Sequence, residues 1–211
     1  MADVVVKILE PADEISFLSL REAKLLLGLP LTGAAEIEDE RLELQIAIAS
    51  AQIMRLCNRM MARQRVIETW RDFDAIKLFL RTFPVAEEDI EQITVGGATL
   101  GPDDYELEEQ SGTLQGLSRF AAPVRIVYSG GYELPDDAPL DLKQATLLML
   151  SSARSQATRE SIEGIRMIAH KESRVIFFDP NASTAKTAGG QSSGLPTGVE
   201  PLLSRYTRFW A

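Results

Sequence analysis

Residues 128–142 read YSGGYELPDDAPLDL. An alternating run ends in two glycines and an aromatic, and an acidic, proline-punctuated helix start follows. If Gly130 and Gly131 cradle a phosphate, the chain is a nucleotide-using protein. If they turn a strand into a helix, they are architecture. The stretch lacks the Gly-x-x-x-x-Gly-Lys-Ser/Thr of a phosphate loop and the three-glycine spacing of a dinucleotide fingerprint. It holds no lysine, and three acidic residues follow within six positions of the pair, which repels an anion. Glycine tolerates the backbone angles needed where a strand bends into a capped helix. The pair is a joint between sheet and helix, with Tyr128 and Tyr132 on either side and Pro139 and Asp141 opening the helix.

Downstream of the joint, PLDLKQATLLMLSSARSQATRE has helical spacing from Pro139 to about Arg159. Proline suits the first helical position, and Asp141 sits where the helix dipole favours an anion. Leu142, Ala145, Leu147, Leu148 and Leu150 make this helix apolar on more than one side, as expected of a helix central to a core or an interface. Upstream, VIETWRDFD and IKLFLRT read as two strands joined by a tight turn at Asp74-Ala75, and IEQITVGG, DYELEE and VRIVYSGG read as further strands. Before them, residues from about Glu38 to Met61 form a long run without glycine or proline, in which Leu42, Ile46, Ile53 and Leu56 recur near helical spacing. Ser19 and Glu22 fit a capping box opening a short helix that stops at Gly28 and Pro30. The expected fold is α+β: two long helices and a short N-terminal helix packed around a small antiparallel β-sheet, with an extended C-terminal arm. Its parts are an N-terminal extension (1–18), a helical core (19–160) with a β-region inserted at about 64–132, a β-ribbon (161–179), and a linker with a terminal segment (180–211).

The 211 residues are 45% hydrophobic and 25% charged, which suits a conventional packed core. Nothing at the N-terminus reads as a signal peptide and no apolar run reaches a membrane span, so a soluble protein of a cytoplasm-like compartment is expected. The single cysteine, Cys57, cannot form an intramolecular disulfide and lies in an apolar helical pattern, as a buried thiol does. The net charge of −9 is uneven. Residues 140–211 hold nine Lys/Arg and six Asp/Glu, while the other 139 residues hold 13 basic and 25 acidic ones. Nine acids and no base fall between Pro84 and Gln110: Glu87, Glu88, Asp89, Glu91, Asp103, Asp104, Glu106, Glu108 and Glu109. Such a surface repels phosphate and argues against sequence-independent nucleic-acid binding. It is a solvated face, or one that meets a basic partner.

Catalytic and metal readings find little support. Gly190-Gln191-Ser192-Ser193-Gly194 matches Gly-x-Ser-x-Gly formally, but its flanks are linker-like and the one histidine, His170, lies upstream instead of downstream. His170 has no acidic or cysteine partners at ligand spacing. Asp103-Asp104 and Glu108-Glu109 lack the alternating oxygen pattern of a calcium loop. No cofactor is expected. PNASTAKTAGGQSSGLPTG is small, polar and glycine-rich, as linkers are. After it, VEPLLSRYTRFWA restores apolar and aromatic residues. That segment either docks on another molecule or folds back on its own domain.

Five signatures in order resemble the head–tail connector (adaptor, or head-completion) family of long-tailed double-stranded DNA phages and prophages. They are SLREAKLLLGLP, ERLELQIAIASAQIMRLCNR, VIETWRDF, VRIVYSGGYELPDDAPLDLKQATLLMLSS and GLPTGVEPLLSRYTRFW. The sharpest match is Tyr-x-Gly-Gly-Tyr-x-x-Pro-x-x-x-Pro-x-Asp-Leu-x-x-Ala, met by Tyr128, Gly130, Gly131, Tyr132, Pro139, Asp141, Leu142 and Ala145. The resemblance implies a non-enzymatic virion protein, assembled in the host cytoplasm as a dodecameric ring beneath the portal. The ring extends the channel through which DNA passes without specific binding, and it offers a platform to a tail-side stopper or tail-completion protein. It also implies that the C-terminal segment reaches the portal through Leu202, Leu203, Tyr206, Phe209 and Trp210, with Arg205 and Arg208 for carboxylates. Deleting Leu195–Ala211 would then leave a folded protein unable to join the portal. The competing expectation is a monomeric peptide- or ligand-binding module using the acidic β-face; no membrane role is expected under either.

Overall fold

In the computed structural model, which describes residues 3–32, 36–160, 167–170, 173–176 and 195–208, the fold is built outward from two paired strands. These are β2 (Gln64–Trp70) and β8 (Val124–Gly130), antiparallel from Gln64 opposite Gly130 to Trp70 opposite Val124. Every second residue of β2 is buried, which is the two-residue period of a strand with one face in a core. β1 (Val4–Glu10) pairs with the outer side of β2, and β4 (Ile90–Val95) pairs with β8. β5 (Ala98–Thr99) closes a five-stranded sheet in the order β1-β2-β8-β4-β5. A second sheet takes β3 (Asp74–Phe79), β7 (Thr113–Ala121) and β6 (Tyr105–Glu108) in the order β3-β7-β6.

The two sheets enclose one core. Val66, Ile93, Val124, Ile126 and Tyr128 come from the first, and Leu78, Leu114 and Phe120 from the second. Trp70 and Phe73 add a tilted ring pair with centroids 5.0 Å apart at the end of β2. At about 1.5–3 kcal/mol for each large apolar side chain fully removed from water, this core accounts for a large share of the favourable term in folding.

The helices make the other half. α1 (Leu20–Leu26) starts at the Ser19 capping box, in which Glu22 N–H donates to Ser19 Oγ and Ser19 N–H donates to Glu22 Oε2. α2 (Glu36–Cys57) buries Leu42, Ile46, Ala49, Ile53, Met54 and Cys57 along one stripe. α3 (Leu140–Glu160) lays Leu142, Ala145 and Leu150 against it. Two ion pairs tie the three together: Lys24 Nζ to Asp39 and Lys143 Nζ to Glu22, each 2.6 Å. β9 (Met167–His170) and β10 (Ser173–Ile176) form a two-stranded antiparallel ribbon.

The architecture is α+β with antiparallel sheets, and several details differ from the sequence reading. There are two principal sheets instead of one small one. Asp74 and Ala75 do not turn β2 into β3 as a hairpin; the chain changes sheets there, and β3 pairs with β7. Within the N-terminal extension, β1 is a sheet strand and Phe17 and Leu18 are fully buried. α2 stops at Cys57, four residues short of Met61, because Asn58 takes the left-handed conformation (φ 53°) that asparagine tolerates at a helix end.

Residues 195–208 are not an extended arm. α4 (Val199–Leu203) packs on α3, and Val199, Leu203 and Tyr206 complete the apolar cluster around Ile53, Cys57 and Leu142. The physical reason is that α2 and α3 alone leave that cluster open, and the apolar residues after the linker close it. The linker itself, residues 180–194 with the Gly-x-Ser-x-Gly stretch, lies outside the described residues, as do Phe209 and Trp210.

A contrast between two glycines tests the joint. Gly131 has φ 106°, and a Cβ there would stand 2.6 Å from the Ala62 carbonyl oxygen; Gly97 has φ 91° with open space around it. Gly131→Ala is expected to cost roughly 2–4 kcal/mol and Gly97→Ala about 1 kcal/mol, from backbone strain with and without a clash. Urea unfolding of both variants checks this, and equal losses would contradict a packed joint.

Candidate functional site

Three backbone segments converge at the end of β8. Gly131 N–H donates to the Pro84 carbonyl at 2.9 Å and Tyr132 N–H to Met61 O at 2.7 Å, and Arg63 N–H returns a bond to Tyr132 O at 2.9 Å. A Cβ on Gly130 would meet Thr82 O at 2.6 Å. The amides around the glycine pair are thus spent on neighbouring carbonyls. Pro139 sits one residue before α3, with its carbonyl accepting from Leu142 and Lys143 N–H.

Behind the joint lies a buried polar group. Glu68 is fully buried on β2, and its Oε1 accepts from the Tyr128 hydroxyl and, at 2.8 Å, from Arg81 N–H. The Tyr128 oxygen in turn accepts from Thr82 N–H at 3.1 Å. Burial pushes the Glu68 carboxyl up, against the opposing pull of Tyr128, Arg81 and Trp70. Burial also pushes the Tyr128 hydroxyl well up, with Glu68 adding to it. The group joins β2, β8 and the chain after β3 inside a closed core, where no substrate reaches it.

The C-terminal segment has its own anchors. Asp141, in the first turn of α3, accepts from Arg205 Nη1 at 3.3 Å and from the Tyr206 hydroxyl at 3.4 Å. The Phe83 ring lies between two guanidiniums, Arg59 at 3.4 Å and Arg208 at 4.0 Å from its centroid. Arg59 also donates to Phe83 O at 2.5 Å, and Arg208 donates to Ser111 O. Burial pulls the Arg59 guanidinium down to about 10, with the nearby Arg208 charge adding to that. Of the residues the resemblance assigned to a partner, Leu203, Tyr206 and Arg208 are engaged within this chain. Leu202 is half-buried and Arg205 exposed.

The nine acidic residues come from two sheets. Glu87, Glu88, Asp89 and Glu91 stand at the entrance to β4, and Asp103, Asp104, Glu106, Glu108 and Glu109 line the approach to β6 and its end, on the other sheet. The two groups adjoin where Glu87 raises the Tyr105 hydroxyl, an effect second to its burial. Asp89 is held by Arg63 at 2.5 Å, and Glu91 takes Arg65 through both oxygens at 2.5 and 2.7 Å. Asp104 accepts from Gly101 N–H and Glu108 from Ser111 Oγ. All of the nine but Asp89 are exposed, and Glu87, Glu88, Asp103, Glu106 and Glu109 are those without one of these contacts.

A polar hollow of about 220 Å³ lies beside them, lined by Glu10, Arg63, Arg65, Tyr132 and Glu133. Across it Arg63 meets Glu133 at 3.0 Å and Arg65 meets Glu10 at 3.2 Å, and Asp13 and Glu14 add two further acids to the lining. Among the described residues no group of three His, Cys, Asp or Glu side chains is placed to hold a metal ion, and no helix is long and apolar enough to cross a membrane.

No protein-family model and no curated protein matches this sequence. Solved structures do. A chain from the neck of an empty gene transfer agent (GTA) particle, computed with C6 symmetry, is similar with a TM-score of 0.58 and 17% identity, over 98% of this chain and 97% of that one. The protein has the fold of GTA neck chains. A chain from the virion of the native GTA particle gives 0.56 and 16% over 98% and 96%, and one from the native neck computed with C12 symmetry gives 0.53 and 13% over 98% and 97%. The likeness to the GTA chains runs nearly end to end.

Glu68, Arg59 and Phe83 were missed in the sequence. Glu68 had a signal: it occupies an inward position of the alternation Gln64, Val66, Glu68, Trp70. Arg59 and Phe83 lie outside any regular element, so no periodicity marks them.

Two measurements test these contacts. Because the folded Glu68 carboxyl titrates above its unfolded value, the native state holds the extra proton, and stability falls as pH rises between the two values, by up to about 1.4 kcal/mol per pH unit. Gln keeps the Oε1 acceptor, so Glu68→Gln should gain on the parent as pH rises from 4; a constant melting difference from pH 4 to 8 would refute a buried, reluctant acid. Cys57 is fully buried under Leu203 and its neighbours. Leu203→Ala should cost about 2–5 kcal/mol and speed labelling of Cys57 by a thiol reagent. Unchanged labelling and stability would place α4 off the core.

Proposed function

We propose that this protein is a structural neck component of a tailed, phage-like particle, assembling with copies of itself as a ring adaptor between the portal and the tail. The observation that carries the reading is the end-to-end correspondence of fold with chains of GTA necks. The fold supports it in a second way, since its polar interior is committed to architecture: the glycine joint, the Glu68–Tyr128 group and the arginine pair on Phe83 each hold elements together. The role is non-enzymatic and needs no cofactor.

In this reading the ring is dodecameric, sits in the virion at the head–tail interface after assembly in the host cytoplasm, and extends the DNA channel. The exposed carboxylates Glu87, Glu88, Asp103, Glu106 and Glu109 face the channel or a tail-side stopper or completion protein. On the channel wall they keep DNA from sticking, since each neutralised phosphate would add salt-dependent affinity. A ring arises from a heterologous interface that closes, with two different faces of each copy meeting. The portal contact is assigned to Leu202 and Arg205, which keep more exposure than Leu203 and Tyr206, together with Phe209 and Trp210. The intact C-terminal segment therefore serves both the fold and the docking.

Light scattering of the purified protein, alone and mixed with portal rings, tests the reading. A monomer that converts to a stoichiometric ring on the portal is the expected result. A species that stays monomeric and never co-elutes with portal, at low or moderate salt, would overturn it.

A further inference from the structure

Two β-edges in this chain are unfinished. β1 is seven residues long and pairs only with β2 among the described residues, leaving its outer backbone groups open. Val5, Val6 and Ile8 on it are 40%, 38% and 50% exposed. Proteins guard such edges by making them short, by placing charges on them, or by covering them. β5 has two residues, β6 has four with Glu106 and Glu108, and β3 carries Lys77 and ends at Phe79, whose ring has the Arg208 guanidinium 5.7 Å away. β1, with Lys7 alone before its last residue, is the long unguarded one.

The other unfinished piece is the β9–β10 ribbon. Its two four-residue strands pair only with each other among the described residues. A lone two-stranded ribbon is marginal in water, and a third strand is what stabilises it. Charge does not oppose a contact between the two: β1 holds Lys7 and Glu10, and residues 167–176 hold Lys171 and Arg174 against Glu172.

We propose that the β9–β10 ribbon of one copy adds edge to edge onto β1 of its neighbour, extending that neighbour's five-stranded sheet. This rests on the ring reading and supplies its heterologous contact, with the ribbon as donor and β1 as acceptor. Backbone pairing provides the affinity. The chain's own ribbon is not paired with its own β1, so each copy keeps one donor and one acceptor to offer.

Mixing two defective variants tests it. One replaces residues 167–176 with a glycine-serine linker and keeps β1; the other carries Val5→Lys and Ile8→Lys and keeps the ribbon. On portal rings each alone should lose at least tenfold of the assembled mass, while the two mixed on portal rings should recover mass as isolated one-to-one pairs. In the unmodified protein, amide exchange at residues 4–8 and 167–176 should slow at least tenfold on assembly. Rings of unchanged mass from either variant, or unprotected β1 amides in assembled parent, would overturn the contact and leave the ring reading standing. A ribbon-less variant that still assembles but melts well below the parent would show the ribbon serving its own chain, and overturns the proposal too. If the parent never assembles, with or without portal, the ring reading falls and the contact with it.

Discussion

At Gly130 and Gly131 three backbone segments meet with no room for a methyl group. A Cβ on the first would come within 2.6 Å of Thr82 O, and on the second within 2.6 Å of Ala62 O. The rest of the fold depends on this approach. It anchors the end of β8 to the chain leaving α2 on one side and to the chain leaving β3 on the other, so the sheets and the helices share a fixed origin. Four residues past Tyr132 the direction is set toward α3, and Asp136–Ala138 close the turn through Asp137 N–H to Glu133 O and Ala138 N–H to Pro135 O. Glu68 makes the same region costly to rearrange, because any opening leaves a buried carboxyl and a buried phenol without partners.

The second constraint is closure by the C-terminal segment. α2 and α3 make a two-helix layer whose cluster around Ile53, Cys57 and Leu142 needs a third wall, and Val199, Leu203 and Tyr206 provide it. The polar fastenings sit at both ends of this wall: Asp141 holds Arg205 and Tyr206, and Phe83 holds Arg208. Two guanidiniums flanking one ring repel each other, and the quadrupole of the ring offsets that repulsion from both faces. The Arg208 end reaches across to Ser111 and Phe79 of the β-half. The tail is thereby a strap over both halves of the molecule.

How far the sequence could be read depended on the kind of signal. The helices were legible because capping and a 3.6-residue stripe are local. Ser19 and Glu22 announced α1, and Leu42, Ile46 and Ile53 announced α2. β2 and β8 were legible from strict alternation. β1 and β7 were not. VVVKILE has no polar alternation, since an exposed edge imposes none, and TLQGLSRFA is broken by Gly116 and by exposed Leu117 and Ser118. Sheet membership was invisible for a different reason: whether β2 and β3 form a hairpin or part company is decided by β7, which enters forty residues later. The glycine pair drew a turn reading because glycine chemistry is local, while Glu68, its buried neighbour, belongs to tertiary packing. The apolar C-terminus was visible as apolar, but an apolar segment after a linker looks the same whether its groove lies on its own chain or on another.

The split of the acidic residues changes what their charge can do. Asp89 and Glu91 are tied to Arg63 and Arg65, so the sequence stretch is more acidic than its surface. What remains exposed lies on two sheets, and at physiological salt each charge is felt over only about 8 Å. A single copy therefore presents two modest patches and repels a duplex weakly. The proposed ring is different, since it repeats both patches around one axis and multiplies the charge that faces a strand passing through it. Under the proposed function, repulsion of DNA is a property of the assembly more than of the chain, and the arginines that neutralise Asp89 and Glu91 are free to serve the fold because the ring supplies the charge density.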